Sequence, residues 1–582
     1  MRWWLVIVGM IFSLPAQAQL TAPVKNGDLT ITVTGTRIPK TKVEMSNWRM
    51  AETPHVVVFS QDDEKALRDT AHNLEKLHFL LSALTGRVDK PDETIKIAVT
   101  MIGAAAEFEQ LRLTDLRWQY GPFPTPFSKT IYYDPREEGP VLAATQAGSN
   151  LVLQPSIGRP SRRDCQSDGD TGLVSVSFAP TSNPDGSESW GGIVALLPVN
   201  EIAFCQSADS RLYAGFAQNY LMTYFPAAYP RWFLQGFGEM FATMVADKDF
   251  VEYGQLPTGF FQVMKQYGDY PVRNILDGRY LSGKGRIWTP YQAWRLVHLL
   301  YFSDTWKPRL QKYLSALAGG ADLKTAADAL GSPVELQRAV NAYRGRAVQA
   351  ERMTFPVART PAPTVLRLTR AEAGLIRGRL ELGARIEVPA EEGRDRSTAL
   401  ARRAAWLARL RGNATRFPDL IENQLLLAEA ECRSDNPDPC LAAADRVIAQ
   451  APTDTRALVW KGTALAGLAG RAPAGERPLR LEEARRFIAR ANRLDPDGIL
   501  PLIAYYNSFA VAGAQASDLA VGGLYKVVQS SPAAPGPRLR LGKELIVRDF
   551  KDDARSTLLP VAHGPFATPE QPTAAALLPE TG

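Results

Sequence analysis

Histidine is scarce. The 582 residues contain five, at positions 55, 72, 78, 298 and 563, and no two are four apart. That spacing excludes the helical His-x-x-x-His pair that turns two imidazoles onto one metal ion. Cysteine is scarce too. Cys165, Cys205, Cys432 and Cys440 include no C-x2-C pair, so a thiolate zinc site is not expected. There is no G-x-S-x-G elbow for a serine hydrolase and no G-x4-G-K-[ST] loop for phosphates. Neither sign of charge dominates: 67 basic and 61 acidic groups leave a net +6, spread along the chain. The basic cluster Arg402, Arg403, Arg409 and Arg411 reads as a solvated helix face rather than the denser patch that nucleic acid wants. Past the start of the chain no apolar run approaches the roughly 18 residues that span a bilayer, so no membrane span is expected in the mature protein.

What is present is ordinary globular composition, 45% apolar and 22% charged, in a chain long enough for two to four domains. Met1-Arg2 precedes a largely apolar run from Trp3 to Leu14, then Pro15 and the small-x-small triplet Ala16-Gln17-Ala18. That is the layout of a signal peptide cleaved after Ala18, and it predicts a periplasmic or secreted protein. In an oxidising compartment the four cysteines become disulfide candidates. The preferred pairing is Cys165–Cys205 and Cys432–Cys440, although four cysteines allow three connectivities.

Residues 19–45 read as a strand, Leu29–Ile38, and a linker. From 46 onward, His55–Ser60 and Ile95–Thr100 are buried-type strands flanking a helix over 62–85, whose apolar side is Leu67, Ala71, Leu74, Leu77, His78 and Leu81 and which Gly86 closes. Residues 140–204 read as largely β, with a polar insertion at Arg159–Ser189. Helices follow at Leu212–Tyr224, Trp232–Ala246, Tyr291–Phe302, Arg309–Leu317 and Val334–Tyr343. Residues 351–397 read as a proline-rich linker with a short hairpin, and 567–582 as a flexible tail.

Between them, residues 398–566 repeat. Pro418, Pro452, Pro496 and Pro532 punctuate units in which Ala484-x3-Ile488-x2-Ala491 recurs as Ala520-x3-Leu524-x2-Val527, and Ala554-x3-Leu558 closes the series. This resembles about four tetratricopeptide repeats, which implies an all-α solenoid whose surface takes a protein partner, here another envelope or periplasmic protein.

The stretch Leu212–Ala242 resembles a second family. Pro230, Trp232, Gly236 and Glu239 stand in the order and spacing found in gluzincin-type, peptidase-MA-like metallopeptidases, in which an H-E-x-x-H helix precedes proline, tryptophan and E-G-x-A-E. The resemblance covers roughly residues 46–350 and implies an α+β domain with a mixed sheet and a helical half. It places Gly215 and Asn219 where that family has its two zinc-binding histidines, Phe216 where it has the general base, and Gln235 where it has the third ligand; Glu239, the outer glutamate, is retained. Glycine and phenylalanine offer no ligand, and neutral amides bind zinc poorly beside imidazole or carboxylate. The expectation is therefore a degenerate site with no metal and no cofactor, and a chain that binds rather than cleaves. Arg231, Trp232, Tyr220 and Tyr224 are the candidates for lining a binding groove; the alternative is that these aromatics are core between helices. A hydrolase working around Glu239 is the second functional reading. His298, on the apolar helix Trp294–Tyr301, is expected to be a satisfied core histidine.

Overall fold

The computed structural model describes residues 44–88, 96–103, 105–113, 131–145, 149–151, 173–176, 181–182, 188–189, 193–196, 204–206, 208–256, 271–277, 289–343, 350–355, 362–389, 391–565 and 568–581. The leader, the strand expected at Leu29–Ile38 and Cys165 lie outside them, and with Cys165 the first expected disulfide.

The chain opens on β1 (Met45–Glu52), β2 (Val56–Ser60), α1 (Glu64–Thr85), β3 (Ile97–Ile102), α2 (Ala105–Leu111), β4 (Ile131–Arg136) and β5 (Gly139–Thr145). Asp63 caps α1 by accepting from Ala66 N, and Gly86 ends it in the left-handed conformation. All six residues expected on its apolar side are buried. β2–α1–β3 is a parallel crossover unit, and β5 adds parallel to β3. The sheet order is β15-β1-β2-β3-β5-β4, closed at one edge by β15 (Thr364–Thr369) antiparallel to β1.

Among the described residues six short strands follow: β6 (Ser149–Leu151), β7 (Leu173–Val176), β8 (Thr181–Ser182), β9 (Glu188–Ser189), β10 (Ile193–Leu196) and β11 (Phe204–Gln206). They pair as β6 with β11, β7 with β10 and β8 with β9. The helical part of this half is α3 (Ala208–Tyr224), α4 (Arg231–Ala242), α5 (Val272–Leu276), α6 (Thr289–Phe302), α7 (Lys307–Ala318), α8 (Leu323–Ala327) and α9 (Pro333–Tyr343). A small sheet of β12 (Val245–Ala246), β13 (Phe250–Tyr253) and β14 (Glu351–Thr354) lies beside it. One apolar core runs from α1 and the sheet through α3, α4, α6 and α7.

The linker reading of 351–397 needs correction. β14 and β15 form no hairpin: β14 pairs with β13 and β15 with the distant β1. The alternating Thr364–Thr369 segment finds an open sheet edge at β1, which a local reading cannot see. Directly after it runs α10 (Arg370–Ile386), started by a capping box in which Thr369 and Glu372 bond each other's backbone N–H. The tail needs the same correction: α20 (Gln571–Leu577) is helical, and Ala574 is buried.

α11 (Arg394–Arg416) leads into four helix pairs: α12 (Ile421–Arg433) with α13 (Pro437–Gln450), α14 (Thr455–Gly470) with α15 (Arg477–Leu494), α16 (Ile499–Ala512) with α17 (Asp518–Ser530), and α18 (Pro535–Val547) with α19 (Lys551–Ala562). Pro418, Pro452, Pro496 and Pro532 each stand three residues before the first helix of a pair. The recurring positions are the buried contacts within pairs: Ala484, Ile488 and Ala491; Ala520, Leu524 and Val527; Ala554 and Leu558. Glycine is required where the helices approach most closely. A Cβ on Gly462 would lie 2.5 Å from Ile488, and one on Gly542 2.5 Å from Leu558. Cys432 and Cys440 form a disulfide across the turn of the first pair. The second half of the chain is thus an array of tetratricopeptide-like helix pairs, and no described helix is long and apolar enough to cross a membrane.

Candidate functional site

The helices α3 and α4 carry the positions that the metallopeptidase resemblance singles out. Pro226 and Pro230 keep the connection extended, and Pro230 sits at the N-cap of α4 with ψ 148°. Two glycines of α4 then let it sit tightly between its neighbours. A Cβ on Gly236 would be 2.3 Å from Ala293 O of α6, and one on Gly238 would be 2.8 Å from Ala214 O of α3. Gly215 and Phe216 are buried, Phe216 wholly so within the apolar core. Asn219 is 1% exposed, and neither its Oδ1 nor its Nδ2 has a hydrogen-bond partner among the described residues. Gln235 Oε1 and Trp232 Nε1 are likewise buried without partners there. Glu239 is 9% exposed. One turn before Gly215, the Arg211 guanidinium is buried, and none of its three nitrogens meets a partner among the described residues; burial pushes its pKa down to about 10. Among the described residues, no three His, Cys, Asp or Glu side chains gather to hold a metal ion.

The four groove candidates do not share one groove. Tyr220 is wholly buried and its hydroxyl meets Ser82 Oγ of α1 at 2.8 Å. Tyr224 lies under Arg87, 3.8 Å from its ring, and 3.3 Å from His78 Nε2. Trp232 packs elsewhere, tilted against Tyr313 of α7 at 5.7 Å. Arg231 is the half-buried first residue of α4. His298 is wholly buried: Nε2 donates to Gly254 O at 2.8 Å, and Nδ1 accepts from the Tyr343 hydroxyl at 2.7 Å. Both ring nitrogens are used, so this histidine serves packing.

Two arrangements escaped the sequence reading. His55 and His78 stack at 4.2 Å with His55 Nδ1 2.6 Å from Glu75. Burial, then His55 and Arg87, hold His78 well below the usual histidine range and therefore neutral. The second arrangement is larger. The β4–β5 hairpin turns on Glu137-Glu138, with Gly139 at φ 128°, and its tip docks on the helix pairs. Glu137 reaches Arg433 of α12 and Arg540 of α18, both at 3.4 Å, and Ser531 Oγ donates to Glu137 O at 2.6 Å. Glu138 lies 3.6 Å from Arg433, which Glu429 also holds at 3.0 Å. Behind the tip, Arg136 binds buried Asp134 at 2.7 Å and donates to Leu380 O of α10 at 3.0 Å. A Cβ on Gly383 would overlap Asp134 Oδ2, so α10 passes the hairpin only as glycine. Desolvation by the helices around it, then Glu429, pushes Glu138 up to about 7, although its side chain keeps 37% of its surface exposed. Burial opposes the charge on Arg433, but Glu429, Glu137 and Glu138 outweigh it and raise its pKa. The local signal was an acidic pair in a two-residue turn between strands; what it meets lies about 300–400 residues away.

The basic cluster at 402–411 is not a free solvated face either. Arg409 is tied to buried Glu381, and Arg411 makes a two-point contact with wholly buried Glu431 at 2.6 and 2.9 Å.

No family model and no curated protein matches the chain. Among solved structures it is similar to a thermophilic TPR protein from Thermus thermophilus, at 16% identity over 36% of this chain and 98% of that one, with a TM-score of 0.28. At that score the repeat assignment rests on this chain's own helix pairs, their punctuating prolines and their close-packed small residues.

Proposed function

We propose that this is an exported, non-catalytic binding protein, periplasmic or secreted, in which a metallopeptidase-type frame has lost its chemistry and the helix pairs hold a protein partner. The observation that carries the reading is the docked hairpin. The helix pairs already bind a peptide turn of the chain itself, through Arg433 and Arg540 of two first helices and Ser531 at the end of α17. A face that takes Glu137 and Glu138 suits an acidic turn or tail on another envelope protein. Large apolar side chains exposed on the later pairs, among them Leu479, Leu519, Tyr525 and Val547, add contact surface. Loss of catalysis is supported by the residues at the four key positions, Gly215, Phe216, Asn219 and Gln235, none of which can serve as an imidazole or carboxylate ligand. Export is supported by the Met1–Ala18 leader pattern.

The test uses a cyclised peptide of the hairpin, residues 131–145, added to the full chain. A Glu137→Gln variant, whose own hairpin loses its ion pairs to Arg433 and Arg540, is expected to bind the peptide at micromolar affinity, more weakly as salt rises. Wild type, with its face occupied, is expected to bind it at least tenfold more weakly. Arg433→Gln in the Glu137→Gln variant should abolish the gain. Equal binding by all three chains would sink the idea that the arginine face is a peptide site.

A further inference from the structure

Between the sheet and the helices α10 and α11 lies a cavity of about 530 Å³, within the usual size of small-molecule sites. It is separate from both the α3–α4 pair and the docked hairpin. Trp48 and Thr100 line it from the sheet, and Trp406 and Leu410 from α11. The Trp406 indole N–H donates to Gly378 O at 3.2 Å, so that ring is fixed in place. Thr100 is 4% exposed and lines the cavity from β3.

The charges are arranged for a single anion. Arg377, Arg409 and Arg416 line the cavity together with Glu107. Glu381, 1% exposed, is shared by Arg377 and Arg409 and fixes both. Arg416 forms no ion pair among the described residues; it overlies the Phe417 ring at 5.2 Å. Three guanidiniums against two carboxylates leave one positive charge in excess, next to Asn413, whose amide also lines the cavity. We propose that this cavity binds a small amphipathic monoanion, its apolar body between Trp48 and Trp406 and its anionic head on Arg416 and Asn413. This site is independent of the scaffold reading: it stands or falls on the cavity alone.

The probe is 1-anilinonaphthalene-8-sulfonate, an aromatic monoanion, titrated into the full chain and followed by its fluorescence. One saturable site is expected. N-phenyl-1-naphthylamine, the same body without the sulfonate, should bind at least tenfold more weakly. Arg416→Gln should weaken the sulfonate about tenfold, the scale of one charge-assisted contact. Gly412→Trp, at a helical position where a Cβ meets nothing within 4 Å, should abolish binding with the circular dichroism spectrum unchanged. Uptake at many sites, a titration that neither variant changes, or equal binding of the uncharged probe would overturn the proposal.

Discussion

The wholly buried carboxylates of the helical half and the buried polar side chains of the α3–α4 pair differ in how their hydrogen bonds are met. In the helix-pair half, Glu431 has no exposed side-chain surface but accepts from Arg411 and Asn436, and Glu381 is held between Arg377 and Arg409. In the α3–α4 pair, Arg211 and Asn219 are as deeply buried with no partner among the described residues. A buried donor or acceptor without a partner costs about 1–3 kcal/mol. A region built only for packing would replace such groups with apolar side chains, as the repeats do at Ala443, Ala484 and Ala520. Under the function proposed above, unpaired polar groups held by tight glycine contacts are what a site leaves when its residues change faster than the frame around it.

The largest effect expected from this contrast is at Gly236. Gly236→Ala sets a methyl group against the Ala293 carbonyl, which is backbone and cannot swing aside, and should cost about 3 kcal/mol by chemical denaturation. A cost under about 1 kcal/mol would mean that the frame is looser than the glycine contacts require. Next, reducing Cys432–Cys440, or replacing both by serine, should cost about 2–3 kcal/mol, read as a lower melting temperature of the helical half. Arg211→Met should stabilise the protein by about 1–2 kcal/mol, because a lone buried charge gives way to an apolar side chain of similar length. Loss of stability in that variant would show that the guanidinium has a partner in solution and would weaken the contrast.

The smallest expected effect is a pH dependence at the docked hairpin. The Glu138 pKa is raised on folding, so the folded state binds the extra proton first. Its contribution to stability is fully present below about 4.5, the ordinary carboxylate value, and is lost as pH rises through about 7. The melting temperature of wild type should therefore fall, relative to Glu138→Gln, between about pH 5 and pH 8. Parallel profiles for the two proteins would remove Glu138 from the docking energetics.

The parts of this fold legible in the sequence were those with local periodicity. The four prolines marked the helix pairs, and the apolar side of α1 was read residue by residue. Of the two preferred cysteine pairs, Cys432–Cys440 is a disulfide in the structure. The losses were of two kinds. The capping box Thr369-x-x-Glu372 was a local signal passed over because proline-rich sequence before it suggested a linker. The β15–β1 pairing and the Glu137–Arg433 contact were not local at all: each joins segments about 300 residues apart, and nothing in either segment names the other. At the α3–α4 pair the residue types were read in place, but the division of their side chains between α1 on one side and α7 on the other was not. Three aromatics on two helices look like a groove until their neighbours are known.

The proposal for the α3–α4 pair is a peptidase-type frame without its metal. The most direct measurement is the zinc content of the mature protein, purified from an oxidising compartment without chelator and then titrated with zinc. The expected result is metal well below one equivalent and no tight uptake on titration. Stoichiometric zinc that disappears in a Glu239→Ala variant would contradict the claim and put a hydrolase centred on Glu239 in its place.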